Sequence, residues 1–195
     1  FQDEPGMQGC KPCEPGSYCP EGASAPLPCK EGTYSNATDL TSAAECTASD
    51  PGFYATTGST MQTPCSPGTV APNSSMGVCT KCAAGSLQPQ EGQQMCTPCT
   101  PGSYCPEGAS APLPCKAGTH QNATLRLLDV SMTSADDCIA CPAGSACSTG
   151  SAEPTACSPG TVAPNASMGT CVDCAAGTFQ DEPGMQGCKP CEPGS

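Results

Sequence analysis

Cysteine is the residue here whose number and spacing point to chemistry. The chain has 195 residues and 20 Cys, a density of about one in ten, as in disulfide scaffolds. Ten cysteines share the context C-x-x-G followed by Ser or Thr: Cys13, Cys29, Cys65, Cys82, Cys99, Cys115, Cys141, Cys157, Cys174 and Cys191. We call these openers. The other ten, Cys10, Cys19, Cys46, Cys79, Cys96, Cys105, Cys138, Cys147, Cys171 and Cys188, are closers, and the two kinds alternate strictly. An even count at regular spacing reads as a disulfide framework, and such frameworks belong to oxidising compartments.

An internal duplication informs the pairing. Cys10, Cys13, Cys19 and Cys29 recur 86 residues later, and Cys65, Cys79, Cys82 and Cys96 recur 92 residues later. Cys138, Cys141, Cys147 and Cys157 then correspond to Cys46, Ser49, Ala55 and Cys65. An opener and its closer are lost together, which points to a Cys141–Cys147 bridge, with Cys13–Cys19 and Cys99–Cys105 following by position. Pairing each remaining opener with the next closer gives Cys29–Cys46, Cys65–Cys79, Cys82–Cys96, Cys115–Cys138, Cys157–Cys171 and Cys174–Cys188. Cys10 and Cys191 are left unpaired. A rival scheme nests Cys10–Cys29 around Cys13–Cys19 and Cys138–Cys157 around Cys141–Cys147; spacing alone does not exclude it. Each loop of about 15 residues closed this way contributes about 3 kcal/mol in the chain-entropy treatment.

The second chemical signal is the acceptor motif N-x-[ST]. It occurs at Asn36, Asn73, Asn122 and Asn165. Asn36 and Asn122 lie seven residues after an opener, Asn73 and Asn165 eight. This regularity predicts N-linked glycans on surface turns, and the many Ser, Thr and Pro residues leave room for O-linked sugar. Other chemistry has little footing. The C-x-x-C pairs lack a four-ligand zinc grouping. Asp136-Asp137 and Asp181-Glu182 do not follow a calcium-loop pattern. His120, the only histidine, occupies a slot held elsewhere by Tyr or Val. The reading is therefore a chain that is not an enzyme, with no catalytic residue, metal site or cofactor. One segment stands apart: Leu125 to Met132 replaces Asp39-Leu40 of the first copy as a six-residue insertion. Its Leu125, Leu127, Leu128 and Val130 are candidates for a chain-to-chain contact, since exposed apolar patches mark interfaces.

The elements that position these residues must be small. Leu, Ile, Val and Phe make up about 8% of the chain, and there is no Trp, too little for an ordinary core. The 22 Gly and 23 Pro break helices and long strands alike. The expected fold is a series of small disulfide-rich tandem repeats, an elongated rod of short irregular β-strands and loops with almost no helix. Residues 1–12 end a truncated module, 13–98 and 99–190 are two super-repeats of five cysteine loops, and 191–195 start a further module. The phrase FQDEPGMQGCKPCEPGS at Phe1–Ser17 recurs at Phe179–Ser195. It reads as the overlap left when a near-periodic polymer is cut one period apart, with Cys10 and Cys191 at the cuts. The net charge of -12 argues against nucleic acid and anionic membrane surfaces, and no apolar run is long enough for a membrane span.

The opener followed by an aromatic, as in CKEGTY and CEPGSYC, resembles the ephrin-receptor-like cysteine-rich repeat, an EGF-like class of small module. CAAGSLQPQEGQQMCTPC is similar to the first loop module of a TNF-receptor cysteine-rich domain. The resemblance covers nearly the whole chain and breaks at Ser49, Ala55 and the loop before Cys138. It implies a secreted or cell-surface protein of disulfide-laddered rods, as in receptor stalks and in fibre-forming proteins of protists and algae, flagellar hairs included. The expected function is structural: a glycoprotein whose modules form or rigidify a filament, with copies of itself and its glycans as partners. The alternative is the stalk of a receptor or adhesin that binds a protein ligand.

Overall fold

The computed structural model describes residues 1–4, 9–122, 124–125 and 130–192. It is built from small disulfide-rich hairpins. Among the described residues ten two-stranded antiparallel pairs follow one another, and none of them joins a larger sheet. Two short 3₁₀ turns, Ala43–Glu45 and Ala135–Asp137, interrupt them, and Thr124 and Leu125 are helical. The chain divides into two compact units. One comprises Phe1–Cys82, Gln88–Thr97 and Gly108–Ser110; the other comprises Ala83–Leu87, Pro98–Glu107 and Ala111–Ser195.

The hairpin follows from the opener motif. In Cys13-Glu14-Pro15-Gly16-Ser17 the Gly16 backbone has φ 80°, while the Ser17 N–H donates to the Glu14 carbonyl at 3.2 Å. Pro second and a positive-φ Gly third is the type II turn arrangement. The described glycines at this motif position have φ between 78° and 87°, as at Gly102 and Gly85. The Ser or Thr that follows has a role of its own in the longer loops. The hydroxyls of Thr33, Thr69, Ser86, Thr119, Thr161 and Thr178 donate back to the carbonyl of the residue after the opener at 2.6–2.8 Å. The two residues after the glycine then pair with the two before the next opener. Thus Ser17–Tyr18 meets Leu27–Pro28, and Thr161–Val162 meets Val172–Asp173. The next opener's N–H closes the hairpin on the glycine carbonyl, as from Cys29 to Gly16 and from Cys174 to Gly160, each at 2.9 Å.

Nine bridges lie across these hairpins. They are Cys13–Cys19, Cys29–Cys46, Cys65–Cys79, Cys82–Cys96, Cys99–Cys105, Cys115–Cys138, Cys141–Cys147, Cys157–Cys171 and Cys174–Cys188, with Cα–Cα separations of 5.7–6.0 Å. Every pair joins an opener to the next closer. Cys10 and Cys191 are unbridged and exposed. The buried interior consists largely of half-cystines such as Cys29, Cys65 and Cys115, with Ala71, Ala163, Val70 and Val162 between them. Cross-links and small side chains thus stand where a larger domain has its apolar core.

Ser49 and Ala55 occupy an opener and a closer position without a bridge, yet the hairpin is unchanged. Gly52 keeps φ 87°, Phe53–Tyr54 pairs with Thr63–Pro64, and the Cys65 N–H reaches the Gly52 carbonyl at 2.9 Å. Both side chains are buried, at 0% and 1% exposure. The turn is braced instead by Asp50 and Gln62. The Asp50 N–H donates to the Gln62 side-chain carbonyl at 2.7 Å, and the Gln62 amide donates to the Asp50 carboxylate at 2.8 Å.

In the bridged counterparts, cysteines six apart sit 5.9–6.0 Å apart at Cα. The double substitution Ser49→Cys with Ala55→Cys is therefore expected to form a tenth bridge without strain. Intact mass should drop by two hydrogens on oxidation, and denaturant unfolding should show a gain of about 2 kcal/mol over the reduced form. A free dithiol under oxidising conditions would contradict the retained geometry.

Candidate functional site

The recurring site is the junction between successive modules. Within the unit that holds Cys13 and Cys29, the Gly16 N–H donates to the Ser35 carbonyl at 2.8 Å, the Cys19 N–H to the Leu40 carbonyl at 2.8 Å, and the Asp39 N–H to the Cys13 carbonyl at 2.9 Å. The same three bonds recur between the next modules, from Gly32 to Ala55, Ser35 to Ser59 and Gly58 to Cys29. The bridgeless module carries them too, from Gly52 to Ala71, Ala55 to Met76 and Ser75 to Ser49. In the other unit the set runs from Gly144 to Ala163, Cys147 to Met168 and Ser167 to Cys141, then from Gly160 to Gln180, Ala163 to Met185 and Gly184 to Cys157. Every donor and acceptor in these sets is backbone, so these junctions do not depend on which side chains are present; between the Cys99 and Cys115 modules the Gly102 N–H donates instead to the Gln121 side-chain carbonyl at 3.2 Å.

A second contact reaches one module further. A Cβ built on Gly16 would collide with the carbonyl oxygen of Gly58; one on Gly32 would meet Ser75, and one on Gly52 would meet Gly92. In the other unit Gly118 faces Ser167 and Gly144 faces Gly184 in the same way. The glycine of the opener motif is thus required for its positive φ and for the carbonyl that lies where a side chain would be.

Two of the acceptor motifs, at Asn73 and Asn165, sit on turns that supply such carbonyls, from Ser75 and Ser167. Asn36, Asn73 and Asn165 are exposed. Asn122 is half-buried, and its side-chain carbonyl accepts the Thr124 N–H at 2.9 Å. Of the insertion, Leu127 and Leu128 lie outside the described residues. Leu125 is half-buried, Val130 is 48% exposed, and Met132 is buried at 1%. The Met132 carbonyl accepts the Cys105 N–H at 3.0 Å, which makes Met132 the anchor of this segment. In sequence nothing separates it from the other apolar residues of the insertion.

Asp137 and Asp181, which follow no metal pattern, are engaged locally, as is Glu45. Asp137 accepts the N–H groups of Thr133 at 2.8 Å and Ser134 at 3.0 Å, and these backbone bonds hold its carboxyl below the ordinary carboxylate value. Glu45 does the same for Thr41 and Ser42. The hydroxyl and then the backbone N–H of Thr41 lower its pKa. Both cap a 3₁₀ turn that leads into a closer cysteine. Asp181 pairs with Lys189 at 2.7 Å, and that ammonium lies 6.0 Å from the Phe179 ring centroid. His120 is buried at 7% exposure opposite Ile139, and its Nδ1 has no hydrogen-bond partner among the described residues.

Two outcomes follow from these environments. Val70 and Val162 fill the His120 slot elsewhere and are equally buried. An unsatisfied buried polar atom costs about 1–3 kcal/mol, so His120→Val should stabilise the chain by about 1 kcal/mol in urea unfolding; a loss of stability would mean that the imidazole is partnered. Glu45 and Asp137 are more acidic folded than unfolded, so their contribution is complete above the ordinary values of 4.5 and 3.8 and is lost as pH falls through the lower folded values. Carboxyl chemical shifts should titrate below those values, with the Thr41, Ser42, Thr133 and Ser134 amides moving in the same step. Neither a scan of protein-family models nor a search of curated proteins finds a match to this chain.

Proposed function

We propose that this chain is a structural glycoprotein of the extracellular space or cell surface, whose tandem modules form or rigidify a filament. The observation that carries the reading is the junction. At most junctions a module receives the next through the same set of backbone hydrogen bonds, whereas between the Cys99 and Cys115 modules the Gly102 N–H donates to the Gln121 side-chain carbonyl. A contact independent of side chains can be repeated indefinitely, which is the requirement for length by repetition. Nine bridges in a chain with little apolar interior support an oxidising compartment. Among the described residues no helix is long and apolar enough to cross a membrane.

In this reading the bridges stiffen the modules, glycans on Asn36, Asn73, Asn122 and Asn165 coat them, and copies of the chain associate along or beside one another. The exposed Val130 within the insertion supplies one lateral contact. The role is mechanical, with no catalysis and no bound cofactor.

The secreted, oxidised chain should show a radius of gyration well above the value of about 16 Å for a compact domain of this length in small-angle scattering. Electron micrographs should show thin linear particles that collapse after disulfide reduction. A value near 16 Å, with compact particles before and after reduction, would sink the filament reading.

A further inference from the structure

The carbonyl that faces the opener glycine comes from a corner nine or ten residues after an opener, and this corner is left-handed. Glycine fills it at Gly58, Gly92, Gly108, Gly150 and Gly184, with φ of 69–78°. Three corners carry a side chain instead: Asp39 at φ 60°, Ser75 at 61° and Ser167 at 63°. Left-handed backbone is unfavourable for any residue with a Cβ, and the corner cannot relax. The Ser75 N–H is held by the Ser49 carbonyl at 2.9 Å and the Ser167 N–H by the Cys141 carbonyl at 2.8 Å, while their own carbonyls lie against Gly32 and Gly118.

Asp39 offsets its strain, because its carboxylate accepts the Cys13 N–H at 3.0 Å. Ser75 and Ser167 do not. Both are exposed, and among the described residues neither hydroxyl makes a hydrogen bond. Folding alone would favour glycine at these two positions, as in the modules that follow them. A strained residue with no structural return points to a requirement outside the fold. Ser75 and Ser167 are each the third residue of an acceptor motif, Asn73-Ser74-Ser75 and Asn165-Ala166-Ser167. At Asn36 and Asn122 the motif hydroxyls belong to Thr38 and Thr124, one residue earlier in their modules.

We infer that Ser75 and Ser167 stand at strained corners because they are the hydroxyl residues that direct N-glycosylation of Asn73 and Asn165. This rests on the reading of the chain as a glycoprotein and sharpens it, marking these two asparagines as the positions whose glycans are worth a loss of stability. The reaction joins the asparagine side-chain nitrogen to C1 of an oligosaccharide carried on a polyprenyl diphosphate. The C1–oxygen bond to diphosphate breaks, the diphosphate leaves with the electron pair, and the amide nitrogen gives up one proton. Without the hydroxyl residue two places on, the asparagine is not an acceptor.

The test uses the full chain secreted from eukaryotic cells, with glycopeptide masses for occupancy and thermal unfolding after complete enzymatic removal of N-glycans. The wild type should carry glycans at Asn73 and Asn165. Ser75→Gly should abolish the Asn73 glycan and raise the melting temperature of the deglycosylated chain by about 2 °C. Ser75→Ala should abolish the glycan without that rise, and Ser75→Thr should keep the glycan and melt lower. Ser167 should behave alike towards Asn165. If Asn73 is glycosylated but Ser75→Gly melts lower than wild type, the serine serves the fold and the inference fails while the glycoprotein reading stands. If Asn36 or Asn122 is occupied and Asn73 and Asn165 are bare, the inference fails alone. A chain without N-glycan at any of the four positions overturns both.

Discussion

The glycine of the opener motif and the carbonyl oxygen two modules further on occupy nearly the same space, as Gly16 and Gly58 or Gly118 and Ser167 show. Other features follow from that approach. The glycine must have no side chain, its turn must be type II, and the corner that supplies the oxygen must be left-handed. Once turn and corner meet, the three junction bonds lie within reach, and the strand pair is set by the next opener closing on the same glycine's carbonyl.

Bridges and junctions divide the work. A bridge spanning about 15 residues contributes about 3 kcal/mol, and three backbone bonds at about 1 kcal/mol each are of the same size. This balance explains why the Ser49 and Ala55 hairpin holds its shape without a bridge: its junction bonds are all present, and Asp50 and Gln62 brace its turn. It also explains how a chain with so few large apolar residues folds at all. What little is buried, such as Val70, Leu87, Val162 and Met132, fills space between half-cystines.

Local features were legible in the residues and distant ones were not. The bridge pattern could be read because Ser49 and Ala55 depart together, and the turn because glycine and the hydroxyl residue recur at fixed offsets from cysteine. The hairpin pairing lies within one module and follows from the same offsets. The corner was hidden, since its partners are backbone atoms contributed from one or two modules away, and Gly58, Ser75 and Asp39 share no side-chain chemistry. Aligning the modules on their openers places Ser75 beside Gly92 and Ser167 beside Gly184, and that column was the available signal. Met132 was hidden because an apolar side chain in an insertion looks the same whether it anchors the loop or faces outward.

The backbone character of the junction bears on how such a sequence changes over generations. A module's loop closes over six, fourteen, seventeen or twenty-three residues and still presents the same carbonyls and N–H groups to its successor. Modules joined by the backbone set can therefore follow one another, with or without their cysteines. Recombination between misaligned repeats would add or remove whole modules and leave the new junction with the same hydrogen bonds as the old. Length in this architecture is free to drift, whereas the glycine, the corner and the spacing between them are not.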